Sequence, residues 1–289
     1  MSNNCNLLMT LLVRNEQDIL PHALEFHREQ GVDHFIVTDN LSTDSSRDIL
    51  RHYESLGWLT WFEEHNDDYD QEEWVTRMAG MAAEPRFSAG WVMHSDADEF
   101  WVSNSGSLKD FFSNLDTTIN IVSAKRHNFV RIRDRRGVWY ENMIYRKSVS
   151  LNYRGMPLPD KVAHRPYPHA RVAQGNHGVS GIIEPKVKYD GLEILHFPVR
   201  SLEQIEQKIR LGGAAYRRNS RQSPDVGLGW RKLFEELNRS GDLSSYFDDN
   251  SILERDLADS IERKLLVLDE TLRYYFTNRS VSWLEKSSS

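Results

Sequence analysis

Apolar and polar positions along the first hundred residues alternate between two periods. Residues 6–13 are apolar apart from Asn6 and Thr10, as in a strand buried on both faces. Asn15, Glu16 and Asp18 give an acidic opening to a helix whose apolar face is Ile19, Leu20, Ala23, Leu24 and Phe26, ending at Gly31. Residues 35–38 predict a second strand, closed by Asp39-Asn40. Ser42 or Thr43 can cap the next helix, which carries Ile49, Leu50, Tyr53 and Leu56 and stops at Gly57. Residues 58–62 alternate as a third strand. An acidic loop, 63–70, leads to a helix with Trp74, Val75, Met78 and Met81. Residues 90–93 form a fourth strand running into Asp96-Ala97-Asp98-Glu99-Phe100.

Strands alternating with helices predict an α/β fold around a parallel sheet with right-handed crossovers. Ligands of such sheets bind beyond the carboxyl ends of the strands. Three polar clusters fall at those ends: Arg14-Asn15-Glu16, Asp39-Asn40 and Asp96-Ala97-Asp98. One crevice would gather them. Residues 119–200 read as short strands (119–124, 138–145, 192–197) separated by loops. Residues 201–219 predict a helix interrupted by Gly212-Gly213, and 251–276 a long late helix bearing Ile252, Leu253, Leu257, Ile261, Leu265, Leu266 and Leu268. Trp58, Trp61, Trp74, Trp91 and Trp101 are expected mostly in the core.

Charge adds a second level of organisation. The 289 residues carry a net charge of −7, but residues 1–124 hold 7 basic and 22 acidic side chains. Residues 125–221 hold 20 and 8, and residues 222–289 hold 9 and 13. An acidic block facing a basic block suits a divalent cation together with a polyanion. Nucleic acid is disfavoured by the pI near 5.9 and the lack of a recognition motif. A single cysteine, Cys5, excludes an internal disulfide and a cysteine-based metal cluster. The longest apolar run is far short of the ~20 residues of a transmembrane helix. No leader pattern is present. A soluble cytoplasmic protein is expected, with peripheral membrane contact open through the basic middle segment.

Asp96 and Asp98, two residues apart just after a strand, can approach one hard cation, Mn²⁺ or Mg²⁺. Such an ion bridges phosphate oxygens and offsets charge on a leaving group. An exposed acidic turn has the same sequence. Asp39 is placed to hold a ribose or base, or to close its own turn. No Gly-x-Gly-x-x-Gly follows the first strand, which argues against NAD and FAD. His196, at the end of a late apolar strand, is either a metal ligand favouring Mn²⁺ or a buried hydrogen-bonded residue. His177 lies in a tight polar loop. Lys161, His164, Arg165, His169 and Arg171 form a basic stretch able to cover a diphosphate.

These residues are familiar as a set. The 13–16 turn, the strand ending 37–44, the 96–100 turn and the later 161–177 and 195–201 stretches resemble the GT-A glycosyltransferases, closest to the family 2-like group bordering on the family 92 type. The resemblance implies a GT-A fold, Rossmann-like, with a mostly parallel sheet flanked by helices. Residues 1–215 would be the glycosyltransferase domain, with a nucleotide-binding half (1–124) and an acceptor and metal-completing half (125–215). Residues 216–289 would be a C-terminal helical extension. The implied donor is a nucleotide-diphosphate sugar, most often UDP-linked. Asp39 would meet the nucleobase, with Arg14, Asn15 and Glu16 nearby. Asp96 would face the ribose or a metal-bound water, Asp98 and His196 would hold the Mn²⁺ or Mg²⁺, and Arg200 would reach the phosphates.

An inverting displacement needs a carboxylate to deprotonate the acceptor hydroxyl. The Glu-Asp pair that many members use is absent between 125 and 200. Asp160, Glu184 and Asp134 are the candidates, with His177 a further one. The expectation is a metal-dependent glycosyltransferase acting on a glycan or lipid-linked acceptor, in cell-envelope polysaccharide assembly. The rivals are a Mg²⁺-dependent phosphohydrolase or nucleotidyltransferase, and a non-catalytic sugar-nucleotide-binding protein.

Overall fold

The computed structural model describes residues 5–183, 185–223 and 225–287. Strands β1 (Asn6–Val13), β2 (His34–Asn40), β3 (Leu59–Glu64) and β4 (Ala89–Asp96) are joined by helices α1 (Leu20–Glu29), α2 (Ser46–Ser55) and α3 (Gln71–Ala82). The four strands are parallel, in the order β3-β2-β1-β4. The apolar run of β1 is explained by its place between β2 and β4. Leu7, Met9, Leu11 and Val13 face one core, and Leu8 faces a second core under α3. Trp74, Trp91 and Trp101 are buried as expected, and Trp58 and Trp61 half-buried.

The sheet runs on through β5 (Glu99–Ser103), β6 (Ile121–Ile132), β7 (Tyr145–Lys147) and β8 (Lys161–His164), with α4 (Leu108–Ser113) and α5 (Trp139–Asn142) between them. After a two-stranded hairpin, β9 (Arg171–Val172) and β10 (Val179–Ser180), comes β11 (Lys186–His196). β8 lies antiparallel between β4 and β6, while β11 pairs parallel with β6 and antiparallel with β5. The parallel α/β sheet flanked by helices thus holds, extended by antiparallel strands. Then follow α6 (Leu202–Arg218), α7 (Leu228–Ser240), α8 (Ser244–Asp249), β12 (Ser251–Ile252), α9 (Leu257–Glu262), β13 (Leu266–Leu268), α10 (Thr271–Thr277) and α11 (Ser282–Ser287).

Four local expectations are corrected. Ser42 and Thr43 do not cap α2; Asp44 Oδ1 accepts from Ser46 N at 2.9 Å, and the Ser42 hydroxyl is taken by Asn15 N. Residues 138–145 are not one strand: Trp139 turns into the core on a short helix, which Asn142 closes by donating to Gly137 O and Val138 O. Gly212-Gly213 do not interrupt α6. They let α7 lie against it, since a Cβ on Gly213 would sit 2.6 Å from Phe234 Cβ. Residues 251–276 are not one helix. Lys264 at φ 56° breaks it, and Leu266–Leu268 pairs with β7.

The leucines that suggested one face have separate roles. Leu257 and Leu266 join a small cluster, and Leu265 and Leu268 are exposed. The boundary placed at residue 215 falls inside α6, and the segment beyond it returns two strands to the sheet. Among the described residues no helix is long and apolar enough to cross a membrane.

Two predictions follow from the packing. Phe276 is buried against Phe26, Phe100 and Trp139. Phe276→Ala is expected to lower stability by about 3–5 kcal/mol, read as a shift of the whole urea transition; an unchanged main transition would mean that the C-terminal segment is a separate unit. Burial also lowers His22, His27 and His164 to about 4. Between the unfolded value of about 6.5 and those folded values, the unfolded chain binds more protons. Stability is therefore full above that range and falls as pH drops through it. Three such groups make the loss steeper than the about 1.4 kcal/mol per pH unit that one group allows; urea titrations at stepped pH values measure the slope, and a flat profile would refute neutral burial.

Candidate active site

The site is built where the parallel strands end. Asn15, just after β1, and Leu41, just after β2, both adopt positive φ (53° and 58°). A leucine is seldom found there, and such strain persists only where its surroundings hold it. Here the two loops are laced together. Asn15 N donates to Ser42 Oγ, Thr43 N to Asn15 Oδ1 at 2.7 Å, Glu16 N to Ser46 Oγ, and Ser45 N to Gln17 Oε1. The lacing fixes where Glu16 and Asp39 point.

Glu16 and Asp98 are buried carboxylates that come together at the ends of β1 and β4. Lys208, from the middle of α6, reaches both, with Nζ 2.6 Å from Asp98 Oδ2 and 2.8 Å from Glu16 Oε1. Arg200, just before α6 and also buried, donates to Glu16 Oε2 (2.7 Å), to both oxygens of Asp18 (2.6 and 2.8 Å) and to Phe197 O, with Asp98 Oδ2 at 3.7 Å. Burial opposes ionisation of Asp98, but Lys208, His196 and Arg200 outweigh it and hold the carboxyl well below its usual range. A second cluster lies beside the first. Buried Lys161 on β8 contacts Asp96 Oδ2 (2.7 Å) and Glu99 Oε1 (3.0 Å), and Arg126 also bonds Glu99.

Several expected roles change. Arg200 commits its guanidinium to Asp18, Glu16 and a backbone carbonyl. Glu16 is likewise committed to Arg200 and Lys208. Asn15 binds Thr43 through both ends of its amide. Arg14 donates to Asn40 and to Asp67 of the acidic loop. Asp39 stays a candidate for the base. It is fully buried at the end of β2, and its Oδ2 accepts from Arg47 Nε (2.8 Å) and Ser42 N (3.3 Å), while Oδ1 is buried without a hydrogen-bond partner.

The named ligands of the expected Mn²⁺ or Mg²⁺ are largely engaged by other protein groups. Asp96 carries Lys161 and Gln71 on its two oxygens, and Asp98 Oδ2 carries Lys208. His196 bonds Asn128 through Nδ1 and stands 3.5 Å from Asp98 Oδ1 through Nε2. Among the described residues, no three His, Cys, Asp or Glu side chains gather into a metal-holding group.

The base candidates are scattered. Asp160 is paired with Lys188 at 2.7 Å, one residue from Lys161. Asp134 accepts from Glu254 N. His177 bonds Asp160 O through Nδ1 and is pushed down to about 3, mainly by burial and by Lys161 and Arg126. Glu184 lies outside the described residues. Sequence reasoning missed Lys208, which reads as one more cation on a helix, and it left Gln71 and Arg47 without a role.

Residues 10–225 match the family described as Glycosyltransferase family 92, and the chain belongs to that family. No curated protein matches. Solved structures of similar fold include S. aureus TarS 1–349 in complex with UDP-GlcNAc, at 11% identity over 84% of this chain and 75% of that chain, TM-score 0.47. A second structure of S. aureus TarS 1–349 matches at 12% over 73% and 65%, TM-score 0.43, so the chain spans just under two thirds of it. HddC from Yersinia pseudotuberculosis matches at 11% over 70% and 99%, TM-score 0.39.

Removing one partner of a buried ion cluster leaves charge unpaired. Arg200→Gln is expected to cost about 3–5 kcal/mol in chemical denaturation, with Arg200→Lys recovering only part. A loss within ordinary surface scatter, about 0.5 kcal/mol, would mean that Arg200 is not the anchor described.

Proposed function

We propose that this protein transfers a sugar from a nucleotide-diphosphate sugar, UDP-linked first, to a hydroxyl of a glycan or lipid-linked acceptor. The observation that carries this reading is the convergence of Asp39, Asp96 and Asp98 with cations from β8 and α6 at the carboxyl ends of β2 and β4. That is where an open α/β sheet binds ligands. Membership of glycosyltransferase family 92 supports it.

In this reading the unpartnered Oδ1 of Asp39 accepts an N–H from the base. The fixed cations face the diphosphate, where negative charge grows as the glycosidic bond breaks. Charges held in place beforehand stabilise that state without reorganising. The displacement is a single, inverting one. Asp160, once Lys188 releases it, takes the acceptor proton; it is the candidate carboxylate adjacent in the chain to a side chain of the site.

The test is calorimetric titration of UDP, GDP and dTDP into wild type and Asp39→Asn. The asparagine must keep its oxygen toward Arg47 and Ser42, which puts its NH₂ where the base donates. One nucleotide should bind wild type and lose about 10- to 100-fold in the variant, as for an unmade buried hydrogen bond. Binding of none, or equal binding to both proteins, overturns the donor site.

A further inference from the structure

We propose that Lys208 is a resident cation of the donor site, taking the Asp98 oxygen that would otherwise help hold a divalent metal, so that the nucleotide binds without one. This deepens the donor-site reading and rests on it.

The argument is one of place and coordination. A cation shared by the carboxylates at the ends of β1 and β4 would contact Glu16 and Asp98. Lys208 Nζ does so, at 2.8 and 2.6 Å, the distances of charge-assisted hydrogen bonds. Both carboxylates are almost fully buried, whereas Lys208 keeps 23% of its side-chain exposure. An ammonium has three N–H donors. Two are held by the carboxylates, and the third remains for an anion arriving from the exposed side.

The other half of Asp96-Ala97-Asp98 is closed in the same way. Lys161, with no exposure, bridges Asp96 and Glu99 on the rigid strand β8. Charge balance agrees. Glu16, Asp18 and Asp98 face Arg200 and Lys208, and Asp96 and Glu99 face Lys161 and Arg126. Five carboxylates meet four permanent cations, so little negative surplus is left to draw a divalent ion.

The backbone explains how a helix lysine holds that position. Ser201 caps α6 by accepting from Gln204 N. The helix is pinned further along by Asn219 donating to Tyr69 O, and by the close approach of α7 at Gly213. Lys208 is therefore carried on a braced element.

The experiment is calorimetry on the full chain treated with EDTA, titrating UDP, GDP and dTDP with and without saturating Mn²⁺. Wild type should bind its nucleotide with affinities agreeing within about threefold in the two conditions. Lys208→Met should lose about tenfold or more in EDTA and recover part of it with Mn²⁺, which can then enter between Glu16 and Asp98. Lys208→Arg, which keeps the charge, should stay closer to wild type in EDTA. Far-UV circular dichroism checks that the variants fold, and the wild-type comparison decides even if Lys208→Met does not. Wild-type binding that Mn²⁺ strengthens by more than about threefold, or a folded Lys208→Met that binds like wild type in EDTA, overturns the inference while the donor site stands. No binding of any nucleotide in either condition overturns the donor site and this inference with it.

Discussion

The structure turns on the burial of Glu16 and Asp98 at the ends of two parallel strands. Ionised carboxylates leave water only at a cost of several kcal/mol each, so they require cations with good geometry. Those cations are Arg200 and Lys208, nearly two hundred residues from Glu16 in the chain. The cluster therefore fastens the helix after the last long strand across the mouth of the first half-sheet. Arg200 does the holding, through bonds that fix its plane, and Lys208 keeps the exposed side.

The uneven charge along the sequence is explained by the same pairing. The acidic residues 1–124 and the basic residues 125–221 supply complementary halves of one interface. Lys161 with Asp96, Arg126 with Glu99 and Arg218 with Asp67 repeat the scheme set by Lys208. A reading from composition alone assigns the acids to a metal and the bases to a polyanion. Folding instead satisfies much of each with the other. The groups left partly open are Lys208 and the unpartnered oxygen of Asp39.

The parallel half-sheet was legible because β1, β2 and β4 are buried on both faces and their apolar runs have one interpretation. The convergence of Arg14, Asp39, Asp96 and Asp98 followed from that topology. The second half was less legible for physical reasons. Trp139 and Leu266 have the same hydrophobicity in a strand or a helix, and tertiary packing decided between them. Gly212-Gly213 look like a break until a neighbouring helix is known to need the space. Lys208 carries no local signal, since its partners are carboxylates far away in the chain. Spacing alone cannot show that Asp18 and Glu16 bond Arg200.

A site assembled from paired charges differs from one held open for a metal. An open cluster of carboxylates repels itself until an ion arrives, and its geometry is set by that ion. Here positions are fixed at folding, by strained turns after β1 and β2 and by a helix capped at its start and tied to Tyr69 at its end. Electrostatic stabilisation is most effective when the dipoles and charges need not move as the leaving group develops charge. The backbone strain at Asn15 and Leu41 is consistent with that requirement, because it is held by the hydrogen bonds that orient Glu16 and Asp39. The same bonds tie the site to folding: losing the Ser42 and Ser46 hydroxyls would free the turn that carries Glu16 beside Asp39, so donor affinity and stability should respond to the same substitutions.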